Sequence, residues 1–149
     1  MQNERIEKAI QDNDMRALQA LIDEAIEIGN RDFRGFATDA LLKLKMQKYE
    51  KETSLVKDVE RALALYEELL RRKHGRRVVA TRTRKMIADR GYKEALVRIV
   101  DRGNQNMGFE ELKKAGLPEF SFEQIVLDHS IEFDEGTLRK AKAALNGIK

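Results

Sequence analysis

Between Leu55 and Leu70 apolar side chains recur three and four residues apart, at Leu55, Val56, Val59, Ala62, Leu63, Tyr66, Leu69 and Leu70. That period gathers them along one side of an α-helix, so the stretch reads as a helix with a buried stripe. The same spacing returns along the chain, interrupted mostly by glycine, and Pro118 is the only proline. The pattern predicts an all-α protein of about nine short helices, packed as helical hairpins or as a compact orthogonal bundle.

Each helix has its own signals. The first covers Asn3 to Gln11 and ends in the turn Asp12, Asn13 and Asp14. The second, Met15 to Ile28, turns Leu18, Leu21, Ile22, Ala25 and Ile26 inward and stops at Gly29 and Asn30. The third is expected to be capped by Asp32 and to bury Phe33, Phe36, Ala37, Ala40, Leu41 and Leu44. These two helices make an antiparallel hairpin. The fourth follows Lys51 to Ser54 and runs into Arg71, Arg72, Lys73 and His74, cations that suit a helix carboxyl end, before Gly75.

A fifth helix is read from Arg77 to Arg90, with a stop at Gly91, and a sixth from Tyr92 to Arg102, with a stop at Gly103. After the polar loop 104–106, a short helix from Phe109 to Ala115 is closed by Gly116 and Pro118. Ser121 and Gln124 have capping-box spacing, and the last helix starts near Asp134 or Glu135, carries Leu138, Ala141, Ala144 and Leu145 inward, and stops at Asn146 and Gly147. Phe120, Phe122 and Phe133, near Leu117 and Ile131, are expected to tie the last helices together, the alternative being an exposed patch for a protein partner. The run from Ala62 to Leu70 resembles one helix of a tetratricopeptide repeat. No period of about 34 residues continues, however, so it implies no more than a helical hairpin.

A chain of 149 residues suits one domain over 1–149, or two lobes divided as 1–74 and 75–149. Without cysteine there is no disulfide framework, thiol nucleophile or cysteine-ligated metal. The first fourteen residues lack the apolar core of a signal peptide, and no run approaches the roughly 20 apolar residues of a membrane span. A cytoplasmic protein with no membrane contact is expected.

The net charge of +3 hides a regional imbalance. Residues 1–70 sum to −4 and residues 91–149 to −1, whereas the twenty residues 71–90 sum to +8. Seven of the nine cations in that segment are arginine, whose planar fork meets phosphate oxygens with paired hydrogen bonds. The expected function is non-catalytic binding of nucleic-acid backbone, duplex or structured, by Arg71, Arg72, Lys73, Arg76, Arg77, Thr81, Arg82, Arg84 and Lys85. On the helical wheel Val79, Thr83, Met86, Ile87 and Arg90 share the docking side, leaving Arg77, Thr81, Arg84 and Lys85 outward. Four phosphate contacts would give a salt slope of about −3.6. Two alternatives use the same arginines: an adaptor or inhibitor binding an acidic protein, or arginines paired within the chain to acids such as Asp23, Glu24, Glu27, Glu67 and Glu68.

Other chemistry is thinly written. A helix-turn-helix over 83–100 would turn Glu94 and Asp101 toward DNA phosphate, which opposes it. No phosphate-binding glycine loop, nucleophile elbow or dinucleotide fingerprint occurs, and the glycines at 103 and 108 do not belong to a strand-loop-helix unit. Scattered carboxylates at 23–39 leave a helical nuclease as a reading, but they suit a solvated face. A metal-dependent hydrolase near His129, with Asp128, Glu132, Asp134 and Glu135, is a third reading, against which helix capping by Asp128, Ser130 and Asp134 is the simpler account. No cofactor, metal or catalytic residue is assigned.

Overall fold

In the computed structural model the described residues are 2–102, 107–115, 117 and 120–146. They form nine α-helices with short 3-10 turns and no strand, which is the all-α class expected. The chain divides into two compact units, Met1–Lys51 and Glu52–Lys149. The 74/75 division considered from sequence lies inside the second unit.

The first unit holds α1 (Gln2–Gln11), α2 (Met15–Ile28), α3 (Arg31–Met46) and a 3-10 turn at Gln47–Tyr49. Asp14 caps α2 by accepting the Ala17 N–H at 3.0 Å, and Gly29 ends it with φ 72°. The cap of α3 is Asn30, whose Oδ1 accepts the Phe33 N–H at 3.0 Å. Asp32, expected to be that cap, sits inside the first turn, where its charge still favours the helix dipole. Leu18, Leu21, Ile22 and Ala25 of α2 meet Phe33, Ala37, Ala40, Leu41 and Leu44 of α3, and α1 closes the core with Ile6 and Ala9.

Two residues expected in this core are outside it: Ile26 is 44% and Phe36 59% exposed. Each lies about a right angle from the centre of its helix's inward stripe, and the neighbouring positions complete the contact without them.

The second unit is built on α4 (Ser54–His74), followed by α5 (Thr81–Arg90), α6 (Tyr92–Asp101), α7 (Met107–Lys114), α8 (Phe122–Asp128), a 3-10 turn at Ser130–Glu132 and α9 (Glu135–Asn146). Thr53 Oγ1 accepts the Val56 N–H at 3.3 Å and starts α4, which ends at Gly75 as expected. Leu55, Val59, Ala62 and Leu63 of α4 pack with Leu96, Ile99 and Val100 of α6, Phe122, Ile125 and Val126 of α8, and Ala141 of α9. Phe122 and Phe133 are buried and Phe120 is half-buried, while Ile131 is fully exposed on the 3-10 turn.

α5 begins four residues later than the sequence suggests, because the backbone of 75–80 is non-helical and the Ala80 N–H bonds a carboxylate of α4. One residue, Gly91, separates α5 from α6, with φ 86° and ψ 166°. That conformation is essentially restricted to glycine, so the sharp turn between the two helices depends on this position.

Ser121 Oγ accepts the Gln124 N–H at 3.1 Å, but the Gln124 amide reaches forward to Asp128, so only half of the capping box forms. The expected stops at Gly103, Gly116, Pro118 and Gly147 and the loop at 104–106 lie outside the described residues.

Leu63 is fully buried, so Leu63→Ala is expected to destabilise the protein by about 2–5 kcal/mol in urea unfolding. Phe36→Ala should change stability by no more than about 0.5 kcal/mol.

A pH effect follows at α9, where Asp134 Oδ1 accepts the Thr137 N–H at 2.7 Å. This bond holds the Asp134 carboxyl below its ordinary range. Its contribution is therefore complete above the unfolded-state carboxylate pKa and is lost as pH falls through the lower folded value. Unfolding measured down an acid series should show a component that Asp134→Asn removes, since asparagine keeps the cap without titrating.

Candidate nucleic-acid interface

The +8 segment spans the end of α4, the connector 75–80 and all of α5, and its cations fall into two groups. Arg71 and Arg72 fold back on buried Glu68: Arg71 donates through Nε to Oε1 at 2.8 Å and through Nη2 to Oε2 at 2.9 Å, and Arg72 Nε donates to Oε2 at 2.8 Å. The spacings of three and four residues bring these groups together on one helix face. Lys73 donates to Glu111 of α7 at 2.8 Å, and Lys85 to Asp89 one turn along α5 at 2.9 Å. Both ammonium groups are pushed above the usual lysine pKa by those carboxylates.

Arg84 bonds two carboxylates of α4 at once. Its Nε donates to Glu67 Oε2 at 2.8 Å, its Nη2 to Glu67 Oε1 at 2.7 Å and its Nη1 to Glu60 Oε1 at 3.1 Å. Glu60 Oε2 also accepts the Tyr92 hydroxyl at 2.6 Å, and Glu67 Oε2 the Ala80 N–H at 2.8 Å. Hydrogen bonding to Glu67 raises the Arg84 pKa further above its already high value, against an opposing effect of burial.

The outward placement of Arg84 is thus corrected: it faces α4, while Met86 and Ile87 are part-buried beside it. The wheel put apolar residues inward and cations outward, and it ignored the carboxylates on the facing helix. Glu60 and Glu67 stand seven residues, or about two turns, apart on α4, so they share a face. That spacing was the available sequence signal for an inward arginine. Of the acids named as internal partners, Glu67 and Glu68 take Arg84, Arg71 and Arg72, whereas Glu24 binds Arg5 within the first unit.

Arg76, Arg77, Arg82 and Arg90 form the other group. All four are exposed, and among the described residues none enters an ion pair. Arg76 and Arg77 lie on the non-helical connector, and Arg82 on the first turn of α5. Thr81, beside them, is exposed, with its hydroxyl 3.3 Å from the Val79 carbonyl. Ala80 provides no side-chain cap and α5 has no acid in its first turn, and at this end of the helix the Glu67 carboxylate of α4 takes the Ala80 N–H.

The other candidate regions have different geometry. On α6, Arg98 bonds Glu94 at 3.2 Å and Asp101 pairs with Lys140. His129 Nε2 lies 2.8 Å from Asp58 Oδ2, and its Nδ1 lies 3.7 Å from Glu132. The two carboxylates therefore flank opposite ring nitrogens. Among the described residues no three His, Asp or Glu side chains are grouped to hold a metal ion, and no helix is long and apolar enough to cross a membrane. Comparison with known proteins finds no matching family model, curated protein or solved structure.

Arg84→Met should leave Glu60 and Glu67 without their guanidinium. A destabilisation of about 1–3 kcal/mol is expected in urea unfolding, below that of a fully buried pair because the side chain is 34% exposed. Lys85→Ala, on the solvent side of the same helix, should leave the midpoint unchanged.

Proposed function

We propose that this is a cytoplasmic, non-catalytic protein that binds the phosphate backbone of duplex or structured nucleic acid through the connector 75–80 and the first turn of α5. Arg76, Arg77 and Arg82 supply the charge, and the Thr81 hydroxyl, which in the free protein donates to the Val79 carbonyl at 3.3 Å, would add a neutral donor on turning to a phosphate. The observation that carries this reading is the contrast within one segment. Arg71, Arg72, Lys73, Arg84 and Lys85 bond acids of the chain, whereas these three arginines are exposed and outside every ion pair among the described residues.

Backbone contact fits better than base stacking. Tyr92 is part-buried with its hydroxyl on Glu60, and Tyr66 is part-buried against the core, so residues 54–102 present no exposed aromatic platform. A second reading, an acidic protein partner for the same arginines, is supported by Val79, which is 42% exposed between them and would suit a mixed apolar and cationic contact.

Titration of labelled duplex DNA, duplex RNA and single strands at several salt concentrations tests the proposal. Three phosphate contacts give an expected slope of about −2.7 for a duplex, shallower than the value expected when paired cations are included. Arg77→Glu/Arg82→Glu should remove binding. No detectable binding to any strand at low salt defeats the proposal, and full binding by the double variant moves the site elsewhere.

A further inference from the structure

Glu67 stands next to the cationic surface and yet carries the opposite charge. Considered as a charge alone, it weakens attraction for any polyanion. Its hydrogen bonds suggest a different effect. Oε2 accepts both the Ala80 N–H and Arg84 Nε, each at 2.8 Å, and Oε1 accepts Arg84 Nη2 at 2.7 Å. One carboxylate thus holds the last residue of the connector and a side chain one turn into α5, and it joins both to α4.

Residues 77–80 have no regular secondary structure, and Ala80 provides no side-chain cap. The methyl of Ala80 packs in the core and Val78 is part-buried, so the Glu67 bond adds a polar tie to an apolar one. Arg76 and Arg77 precede this attachment point and Arg82 follows it by two residues. Ala80 is buried, so the attachment is shielded from water, which strengthens it relative to a surface contact.

We propose that Glu67 is a positioning residue for the polyanion surface: it fixes the connector and the start of α5 so that Arg76, Arg77 and Arg82 are presented together. This rests on the phosphate-binding reading above. Ordering even one backbone residue carries an entropic cost that a pre-fixed connector avoids when ligand binds, equivalent to about a tenfold change in affinity.

Two substitutions separate position from charge. Glu67→Gln removes the charge at nearly constant size, and Glu67→Asp keeps the charge but shortens the reach. Positioning predicts that both accelerate hydrogen exchange at the Ala80 amide and that both weaken binding of a short labelled DNA duplex by about tenfold. A mere charge effect predicts tighter binding for Glu67→Gln and unchanged binding for Glu67→Asp. Glu68→Gln, which removes a buried charge one position along without a bond to the connector, should bind at least as tightly as the parent. Far-UV circular dichroism and a thermal midpoint establish that each variant is folded; if Glu67→Gln is not, Glu67→Asp decides the matter. Unchanged exchange at Ala80, or tighter duplex binding by Glu67→Gln, overturns the proposal. If the parent fails to bind while Ala80 exchange still responds to Glu67, the phosphate-binding reading fails and the role in presenting it falls with it, though the anchor itself stands.

Discussion

In the second unit the guanidinium of Arg84 lies against the carboxylates of Glu60 and Glu67 on α4. Taking those acids out of water is costly unless a cation meets them with good geometry, and the fork of arginine provides it. Removing either side would leave a desolvated charge, so the contact fixes which face of α5 meets α4. The apolar part of α5 is too small to do this by itself, since none of its ten residues is buried. Tyr92 joins the same cluster through Glu60, so the start of α6 is tied to α4 as well. Specificity of packing comes here from polar partners, and the apolar core of α4, α6, α8 and α9 supplies the bulk of the burial.

This division explains where the sequence was readable. The limits of α2, the left-handed ends at Gly29 and Gly75, the stripe of α4 and the Ser121 cap follow from local rules of periodicity and capping, which depend on residues a few positions apart. The start of α5 did not follow, because the bond from the Ala80 amide goes to a carboxylate thirteen residues earlier in sequence. Phe36 was misplaced for another reason. Hydrophobicity states what a side chain tolerates, whereas burial depends on whether a neighbouring helix reaches it, and at 59% exposure none among the described contacts does.

The basic segment shows the same limit at the level of function. Counting charges located the region, but a count treats each arginine alike. Glu68 and Glu67 distinguish them by their places on α4: they draw Arg71, Arg72 and Arg84 into the packing of the unit, whereas Arg76, Arg77, Thr81 and Arg82 face solvent and Lys73 and Lys85 stay exposed in surface pairs. Charge density along a chain is thus an upper bound on the charge a ligand meets. The bound is loosest where acidic and basic helices are consecutive, because a hairpin brings their side chains together.

Gly91 gives α5 a further property. A single residue joins α5 to α6, and the other end of α5 is bonded to α4 at Ala80, so both termini of the helix are attached within the unit. Arg82 and Arg90, both exposed, are eight residues apart on this helix, which spaces their Cα atoms by about 12 Å along the axis. α5 therefore sets a fixed distance between these two positions. An anionic surface that engages both ends must offer its charges at that interval, and a one-residue insertion would change both the interval and the direction in which the second arginine points.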